Sequence, residues 1–220
     1  LPWEGRETNK NELMLFGNMM FAEPGIDMAD TTRQQFFDCV PFHSEEGNVS
    51  GVAYIVNYAV QPTAKNGHRI YLKNMLLTEK GENLIPDWAV FTKCIVNAMD
   101  LRPTASREGF YIDEVLSKAR ESIEDSLIEY IQEMAETTPE VFDRFFSIHR
   151  MSLMSLALVS PKLFKIIADQ CEFETTRGMC TGYTLRTSNE PLIYAPTESK
   201  YKQLSQLFFA QDKMLINVSY

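Results

Sequence analysis

The spacing of apolar and polar positions predicts two helices and two strands near the start of the chain. The Met-rich apolar segment Glu12–Phe21 predicts a helix, and Ala29–Phe37 predicts a second, shorter one. Gly51–Val60 and Arg69–Leu77 are rich in β-branched and aromatic residues, and both predict strands. The proline and the Asn-Gly pair between them predict a turn or short loop, so we expect a hairpin or adjacent strands.

Helical spacing dominates the middle of the chain. Ile85–Met99 predicts a helix with Pro86 in its first turn, where the missing N–H is not needed. The loop Asp100–Gly109 then separates this segment from the longest periodic run. From Ile112 to Ile131, apolar residues recur every three or four positions and carboxylates lie elsewhere, which predicts a long amphipathic helix. These carboxylates are expected to form a solvated face.

Proline-containing start signals predict two more helices. Thr138 is the expected cap of a helix with Pro139 in its first turn, and Ser160-Pro161 repeats this signal. The first of these helices has a phenylalanine-rich face, formed by Phe142, Phe145 and Phe146. We place a soft boundary between subdomains in this region, near residues 138–159.

The character of the sequence changes after Cys171. Glu172–Leu185 is polar and contains glycine. It is followed by a short predicted strand in Pro191–Pro196, a predicted helix in Glu198–Asp212 and a final predicted strand in Met214–Tyr220. The order strand, helix, strand suggests a small βαβ-type layer, so the fold class is α/β.

Composition narrows the possible functions. The 220 residues carry a net charge of -9, and the pI is about 4.9. This acidic balance disfavours nonspecific binding to nucleic acid or to an anionic membrane. The four cysteines form no CxxC pair and the three histidines are scattered, so no metal site is predicted. We expect free, partly buried thiols in a reducing compartment.

Motifs for nucleotide or covalent chemistry are absent. The sequence has no GxGxxG motif, P-loop, GxSxG or HExxH. No apolar run is long enough to span a bilayer, and the N-terminus does not resemble a signal peptide. Because the chain begins at Leu1 without a methionine, we expect a fragment of a longer cytosolic protein. Residue chemistry alone thus predicts an acidic α/β protein without an assigned activity.

One stretch carries a more specific pattern. Arg69–Phe110 combines Leu84-Ile85-Pro86-Asp87-Trp88 with Asp100-Leu101 and Ser106-Arg107-Glu108. It resembles the middle domain of the Hsp90 chaperone family, and the whole chain resembles a divergent bacterial member. The resemblance is weaker through Val141–His149 and later segments, and it covers the chain from about residue 38 onward.

The loop departs from the family pattern at three positions, and one of them is Pro103, which lies one place later than the family pattern has it. The family usually has Asn where this chain has Thr104, and it usually has Gln where this chain has Tyr111. The hydroxyl of Tyr111 could replace part of the amide's role, or the ring could simply pack. Packing of the ring is the simpler of the two roles.

The resemblance also implies a subdomain organisation. That family's middle domain has a larger α-β subdomain of the ribosomal protein S5 domain 2 type, connecting helices and a small three-layer αβα subdomain. In this chain these parts correspond to residues 1–137, 138–160 and 161–220, and the first part carries the arginine loop.

The resemblance assigns a role to Arg107. In the family, a separate N-terminal domain binds ATP and Mg²⁺, and the middle domain supplies an arginine to the γ-phosphate. Arg107 matches that arginine, with Thr104, Ser106, Glu108 and Tyr111 as the supporting loop. A guanidinium is planar and always charged, and its fork of donors fits phosphate oxygens. This chain alone is expected to be inactive.

The resemblance also implies partners and a location. The expected partners are the protein's own N-terminal domain, client polypeptides and a second copy, bound through a C-terminal part outside this chain. No nucleic acid or membrane partner is expected, and the expected location is the cytoplasm.

The sequence is also compatible with other roles. Arg107 could instead serve structure, by pairing with Glu108 or Asp113, and Ser106 could be a helix cap. The chain could also be the transducer domain of another GHKL-type ATPase, from a DNA topoisomerase or a mismatch-repair protein. Those relatives use a lysine in this loop and often have a basic surface, so Arg107 and the charge of -9 disfavour this alternative. A third alternative is an enzyme that acts on a small molecule, with its site in the C-terminal unit. No cluster of polar residues in that part of the sequence supports it.

Overall fold

The structure is a computed structural model that describes residues 9–22, 35–61, 63, 67–80, 83–158 and 160–219. The described residues form six helices and two β-sheets. The chain divides into two compact units, Leu1–Leu156 and Ala157–Tyr220. Each unit has its own sheet.

The first unit is built on a five-stranded sheet. Its order is β1-β2-β5-β3-β4, and all neighbours are antiparallel except β3 and β5. The strands are β1 (Phe36–Ser44), β2 (Val49–Val56), β3 (Arg69–Leu72), β4 (Met75–Thr78) and β5 (Thr92–Ala98).

Three helices belong mainly to this unit: α1 (Lys10–Met20), α2 (Glu114–Thr137) and α3 (Pro139–Ala157). The long amphipathic helix and the phenylalanine-rich helix are confirmed by α2 and α3. Helix α2 packs against β1, and its buried residues fall on one stripe. They include Leu116, Ala119, Ile123, Leu127 and Ile131.

The core of this unit surrounds β2, which is buried along almost its whole length. Val52, Tyr54 and Val56 alternate along the strand, and they pack with Leu13 of α1. The Tyr54 hydroxyl donates to the Leu13 carbonyl oxygen at 3.0 Å. Gly17 allows this close approach, because a Cβ atom there would overlap the Tyr54 ring.

The predicted helix at Ile85–Met99 is wrong. The segment forms turns up to Phe91 and then strand β5, which lies between β2 and β3. Pro86 sits in a turn, where its carbonyl oxygen accepts from the Ala89 N–H at 3.0 Å. A strand covered on both faces is apolar at successive positions, so its sequence lacks the alternation that marks a half-buried strand.

The predicted strand at Arg69–Leu77 is interrupted. Lys73 and Asn74 have φ of 51° and 65°, and they form the tight turn between β3 and β4. Side chains of Asn74 and Asn97 hydrogen-bond at 2.9 Å, which holds this turn at the end of β5. The expected pairing of the Gly51 and Arg69 strands is also wrong, because β5 lies between them.

The predictions at the N-terminal end have mixed outcomes. Helix α1 confirms the predicted helix at Glu12–Phe21. Most of the predicted helix Ala29–Phe37 lies outside the described residues, and Phe36 and Phe37 belong to β1, where the helix is wrong. The β1 register shifts next to Phe36, and this nine-residue strand was not predicted.

The second unit has a four-stranded sheet with the order β7-β6-β9-β8. Its elements are α4 (Pro161–Gln170), β6 (Glu172–Thr175), β7 (Gly178–Thr181), α5 (Gly182–Thr187), β8 (Ile193–Ala195), α6 (Glu198–Ala210) and β9 (Leu215–Asn217). Strands β8 and β9 are parallel and are joined by α6, which confirms the predicted strand–helix–strand layer.

Both faces of the second sheet are covered. Leu215 packs with Tyr201 of α6, whereas the next residue, Ile216, packs with Leu185 of α5. Because successive residues of a strand point to opposite faces, α5 and α6 contribute to the two sides of the sheet.

The side chains of Cys39, Cys94 and Cys171 are buried, and that of Cys180 is half-buried. Among the described residues, no group of three or more His, Cys, Asp or Glu side chains could hold a metal ion. None of the helices in the described part has the length and apolar character needed to cross a bilayer.

Candidate functional site

The loop that carries Arg107 is a short hairpin between β5 and α2, rather than a loop between two helices. The Tyr111 N–H donates to the Arg102 carbonyl oxygen at 2.9 Å, and the Thr104 N–H donates to the Gly109 carbonyl oxygen at 2.9 Å. Pro103 and Phe110 form the β-bridge between these two bonds. We call residues 102–111 the arginine hairpin.

Buried side chains fix the base of the arginine hairpin to the first unit. Leu101 and Phe110 are only 5% and 2% exposed. The Asp100 N–H donates to the Gly47 carbonyl oxygen at 3.0 Å. Gly47 has a φ of 70°, and a Cβ there would lie 2.5 Å from the Leu101 side chain. The amide of Asn83 donates to the Phe110 carbonyl oxygen.

Arg107 lies at the tip in a backbone conformation that non-glycine residues seldom adopt. Its φ is 57°, and its N–H donates to the Thr104 carbonyl oxygen at 2.9 Å. The Thr104 hydroxyl contacts the Gly109 carbonyl oxygen and the Ser106 hydroxyl, both at 3.2 Å. A left-handed non-glycine residue costs on the order of 1 kcal/mol, and such strain concentrates at functional sites.

The Arg107 side chain is exposed, and its guanidinium has no hydrogen bond or ion pair with any residue in the described part of the chain. Neither Glu108 nor Asp113 therefore forms an ion pair with Arg107 in this part of the chain. Asp113 caps α2, because its carboxylate accepts from the Leu116 N–H at 2.9 Å. The predicted cap at Ser106 is wrong, since Ser106 lies in the tip.

Tyr111 packs against an arginine that sequence analysis did not single out. The guanidinium carbon of Arg102 lies 5.5 Å from the centroid of the Tyr111 ring. Arg102 is exposed and Tyr111 is 49% exposed. The two residues face each other across the base of the hairpin, so their pairing becomes visible only when the turn at the tip is known.

A second polar cluster lies in a groove of about 520 Å³ lined by residues of α1, β1, α2 and the start of α3. The Asp38 carboxylate accepts from the Lys10 ammonium and the Tyr130 hydroxyl, both at 2.7 Å. Burial raises the pKa of the neighbouring Cys39 thiol to about 11, with a smaller contribution from Asp38. This thiol is protonated near neutral pH, so it is a poor nucleophile.

Comparison with a solved structure identifies the fold. The chain is similar to the middle domain of a heat shock protein from Plasmodium falciparum, with a TM-score of 0.67 and 15% identity. The similarity covers 99% of this chain and 87% of that one. The chain therefore has the mixed α/β fold of that middle domain.

Relatives in sequence are also named as chaperones or heat shock proteins. Chaperone protein HtpG from Desulfitobacterium hafniense is 25% identical over 81 residues, which are 37% of this chain and 13% of the relative. Chaperone protein HtpG from Geobacter metallireducens is 29% identical over 85 residues, 39% of this chain and 13% of that protein. Heat shock protein 83 from Leishmania donovani is 24% identical over 156 residues, covering 67% of this chain and 34% of that protein.

The family model described as Hsp90 protein matches residues 54–178, and the chain belongs to the Hsp90 family. The resemblance seen in the sequence is thus confirmed, and the alternative of another GHKL-type transducer domain is not favoured. The matched region contains the whole arginine hairpin. The aligned part spans only 13–34% of the length of the three relatives described above.

Proposed function

We propose that this chain is the middle domain of an ATP-dependent chaperone and that Arg107 contacts the γ-phosphate of ATP. The nucleotide and its Mg²⁺ would be bound by a separate N-terminal domain. The observation that carries the proposal is the exposed guanidinium at the hairpin tip, which has no ion pair with a described residue. Family membership supports it, because the arginine lies inside the matched region.

The chemistry of phosphoryl transfer suits such a group. Negative charge spreads over the equatorial oxygens of the transferred phosphoryl group, so catalysis depends mainly on positioning and electrostatics. A guanidinium donates two parallel hydrogen bonds to phosphate oxygens. A guanidinium that already pairs with a carboxylate would have to break that ion pair before it could bind phosphate. Arg107 has no such partner among the described residues.

The supporting loop has a positioning role in this proposal. Thr104 and Gly109 close the hairpin, and Ser106 lies within hydrogen-bond distance of the Thr104 hydroxyl. These contacts hold the backbone of Arg107 while its side chain extends into solvent. Glu108 and Tyr111 flank the tip and the base, and neither residue occupies the guanidinium.

We further propose the family's subdomain organisation for this chain. The five-stranded sheet with its helices would be the ribosomal protein S5 domain 2-like subdomain, residues 1–137. Residues 138–160 would connect it to a small three-layer αβα subdomain, residues 161–220. The helices on both faces of the second sheet support the last of these assignments.

The proposed partners follow from the family. They are the protein's own N-terminal domain, client polypeptides and a second copy of the protein, and the proposed location is the cytoplasm. This chain would not hydrolyse ATP by itself.

The proposal is tested by replacing Arg107 in the polypeptide that joins this chain to its ATP-binding domain. Arg107→Ala should lower ATP turnover on the order of 10³-fold, while the dissociation constant of ATP stays nearly constant. Arg107→Lys should recover little activity, because an ammonium group cannot reproduce a two-pronged contact. Turnover and nucleotide binding are measured on the same preparations.

Arg150→Ala is the matched control, because it removes an exposed arginine that belongs to α3 and not to the hairpin. Its turnover should equal that of the parent. If Arg107→Ala folds with an unchanged melting temperature and turns over at the parent rate, the catalytic role is refuted.

A further inference from the structure

We infer that Arg102 and Tyr111 form a positioning pair for Arg107, an inference that rests on the proposed function. The pair lies at the base of the arginine hairpin, where the Tyr111 N–H donates to the Arg102 carbonyl oxygen at 2.9 Å. The side chains meet as well, with the guanidinium carbon 5.5 Å from the ring centroid. Backbone and side chains therefore join the same two residues.

The burial pattern explains why these two side chains meet. Leu101 and Phe110, the neighbours of the pair, are buried in the first unit. Since side chains alternate along paired strands, Arg102 and Tyr111 lie together on the outer face of the hairpin. Their contact lies on the exposed face of the hairpin. Leu101 and Phe110 anchor the opposite face in the core of the first unit.

The contact does not compete with other partners. The guanidinium of Arg102 has no hydrogen bond or ion pair with another residue that the structure describes. Its described contact is the attraction between a cation and the face of an aromatic ring. This attraction is sensitive to the orientation of the ring, so it restricts how the two strands of the hairpin move relative to each other.

Restricting the base has consequences at the tip. Arg107 follows Arg102 by five residues and precedes Tyr111 by four. The backbone bonds at Thr104 carry the base geometry to the tip. A guanidinium must reach the phosphate oxygens in a defined orientation, and small displacements of a catalytic group reduce rates strongly. The stacked pair thus limits the range of positions that Arg107 samples.

The experiment measures ATP turnover in the polypeptide that carries the ATP-binding domain. Arg102→Ala and Tyr111→Ala should each lower kcat about two- to fivefold, the range expected from one exposed cation–π contact. KM for ATP should not change, because neither residue binds the substrate. The double variant should be no slower than either single variant, since both remove the same contact.

Conservative variants separate positioning from other roles. Tyr111→Phe keeps the aromatic face and should keep the parent kcat. A Tyr111→Phe variant as slow as Tyr111→Ala would show that the hydroxyl acts instead, and the inference would be wrong. Fully additive losses in the double variant would also overturn it. Arg150→Ala again controls for the loss of an exposed positive charge.

Thermal melts of the same variants exclude a folding defect as the cause. The melting temperature should stay within a few degrees of the parent, because the pair is exposed. The inference and the proposed function fail in different ways. If Arg107→Ala abolishes turnover but Arg102→Ala leaves kcat unchanged, only the positioning role is refuted. If Arg107→Ala has no effect, the proposed function itself fails.

Discussion

Protonation of one buried histidine should weaken the first unit as the pH falls. His149 is 1% exposed, and its ring lies 5.3 Å from that of Phe91 and 5.1 Å from that of Phe145. Its Nε2 atom lies 3.0 Å from the Val56 carbonyl oxygen. Because a carbonyl oxygen only accepts, Nε2 carries the proton and Nδ1 is bare. Within the described structure, Nδ1 has no hydrogen-bond partner.

These surroundings favour the neutral ring. Burial lowers the pKa of His149 from 6.5 to about 4, although its hydrogen bond with Val56 acts in the opposite direction. The unfolded chain therefore binds a proton below pH 6.5 that the folded chain resists until about pH 4. Stability from this residue is complete above pH 6.5 and is lost as the pH falls. Between pH 7.5 and 5.0 the loss should be about 2 kcal/mol.

Replacement by glutamine isolates this effect. His149→Gln can still donate an N–H to the Val56 carbonyl oxygen, but it does not titrate. The free energy of unfolding is measured by urea denaturation at both pH values. Tryptophan fluorescence is the signal, because Trp88 lies 6.1 Å from Phe91 in the same unit. The parent should lose about 2 kcal/mol more than the variant over this interval.

His68 also has a pKa that burial lowers to about 4. His68 is unchanged in both the parent and His149→Gln, so its contribution cancels. His43→Gln, on the exposed side of β1, controls for the removal of a histidine as such. Equal losses in the parent and in His149→Gln would refute the argument that burial suppresses protonation.

Two further predictions test the packing of the chain. Gly17→Ala should destabilise the first unit by about 1–3 kcal/mol, because the new Cβ would overlap the Tyr54 ring, and thermal denaturation followed by circular dichroism measures the loss. Gly67→Ala is its control, with no atom within 4 Å of the new Cβ, and an equal loss there would contradict the explanation. Thiol labelling at pH 8, followed by mass spectrometry, should modify the half-buried Cys180 well before Cys94. The reason is that burial raises the pKa of the Cys94 thiol to about 12. Faster labelling of Cys94 would show that its strand opens readily.

The amphipathic helices could be predicted because their periodicity is local. In α2 the apolar residues from Leu116 to Ile131 repeat with the period of a helix and occupy one buried stripe. The strands β8 and β9 were found for a similar reason, as short apolar segments bounded by turn residues. Each of these elements is covered on one side or is clearly delimited, so its pattern survives in the sequence.

The central strand shows where local pattern fails. Every second residue in β5 faces one layer of the core and the remaining residues face the other, so apolar residues occupy both sets. That composition also fits a buried helix. The segment forms a strand because β2 and β3 supply hydrogen-bonding partners on both edges of β5. Segments distant in the chain therefore decided its secondary structure.

The sequence by itself determined the amphipathic helices, the final strand–helix–strand layer and, through the loop around Arg107, the family. These features depend on residues close together in the chain. Tertiary structure alone decided the strand order, the identity of β5 and the pairing of Arg102 with Tyr111. The physical reason is that these contacts join residues that are distant in the sequence. The local pattern around each residue does not show which distant residue it will pair with.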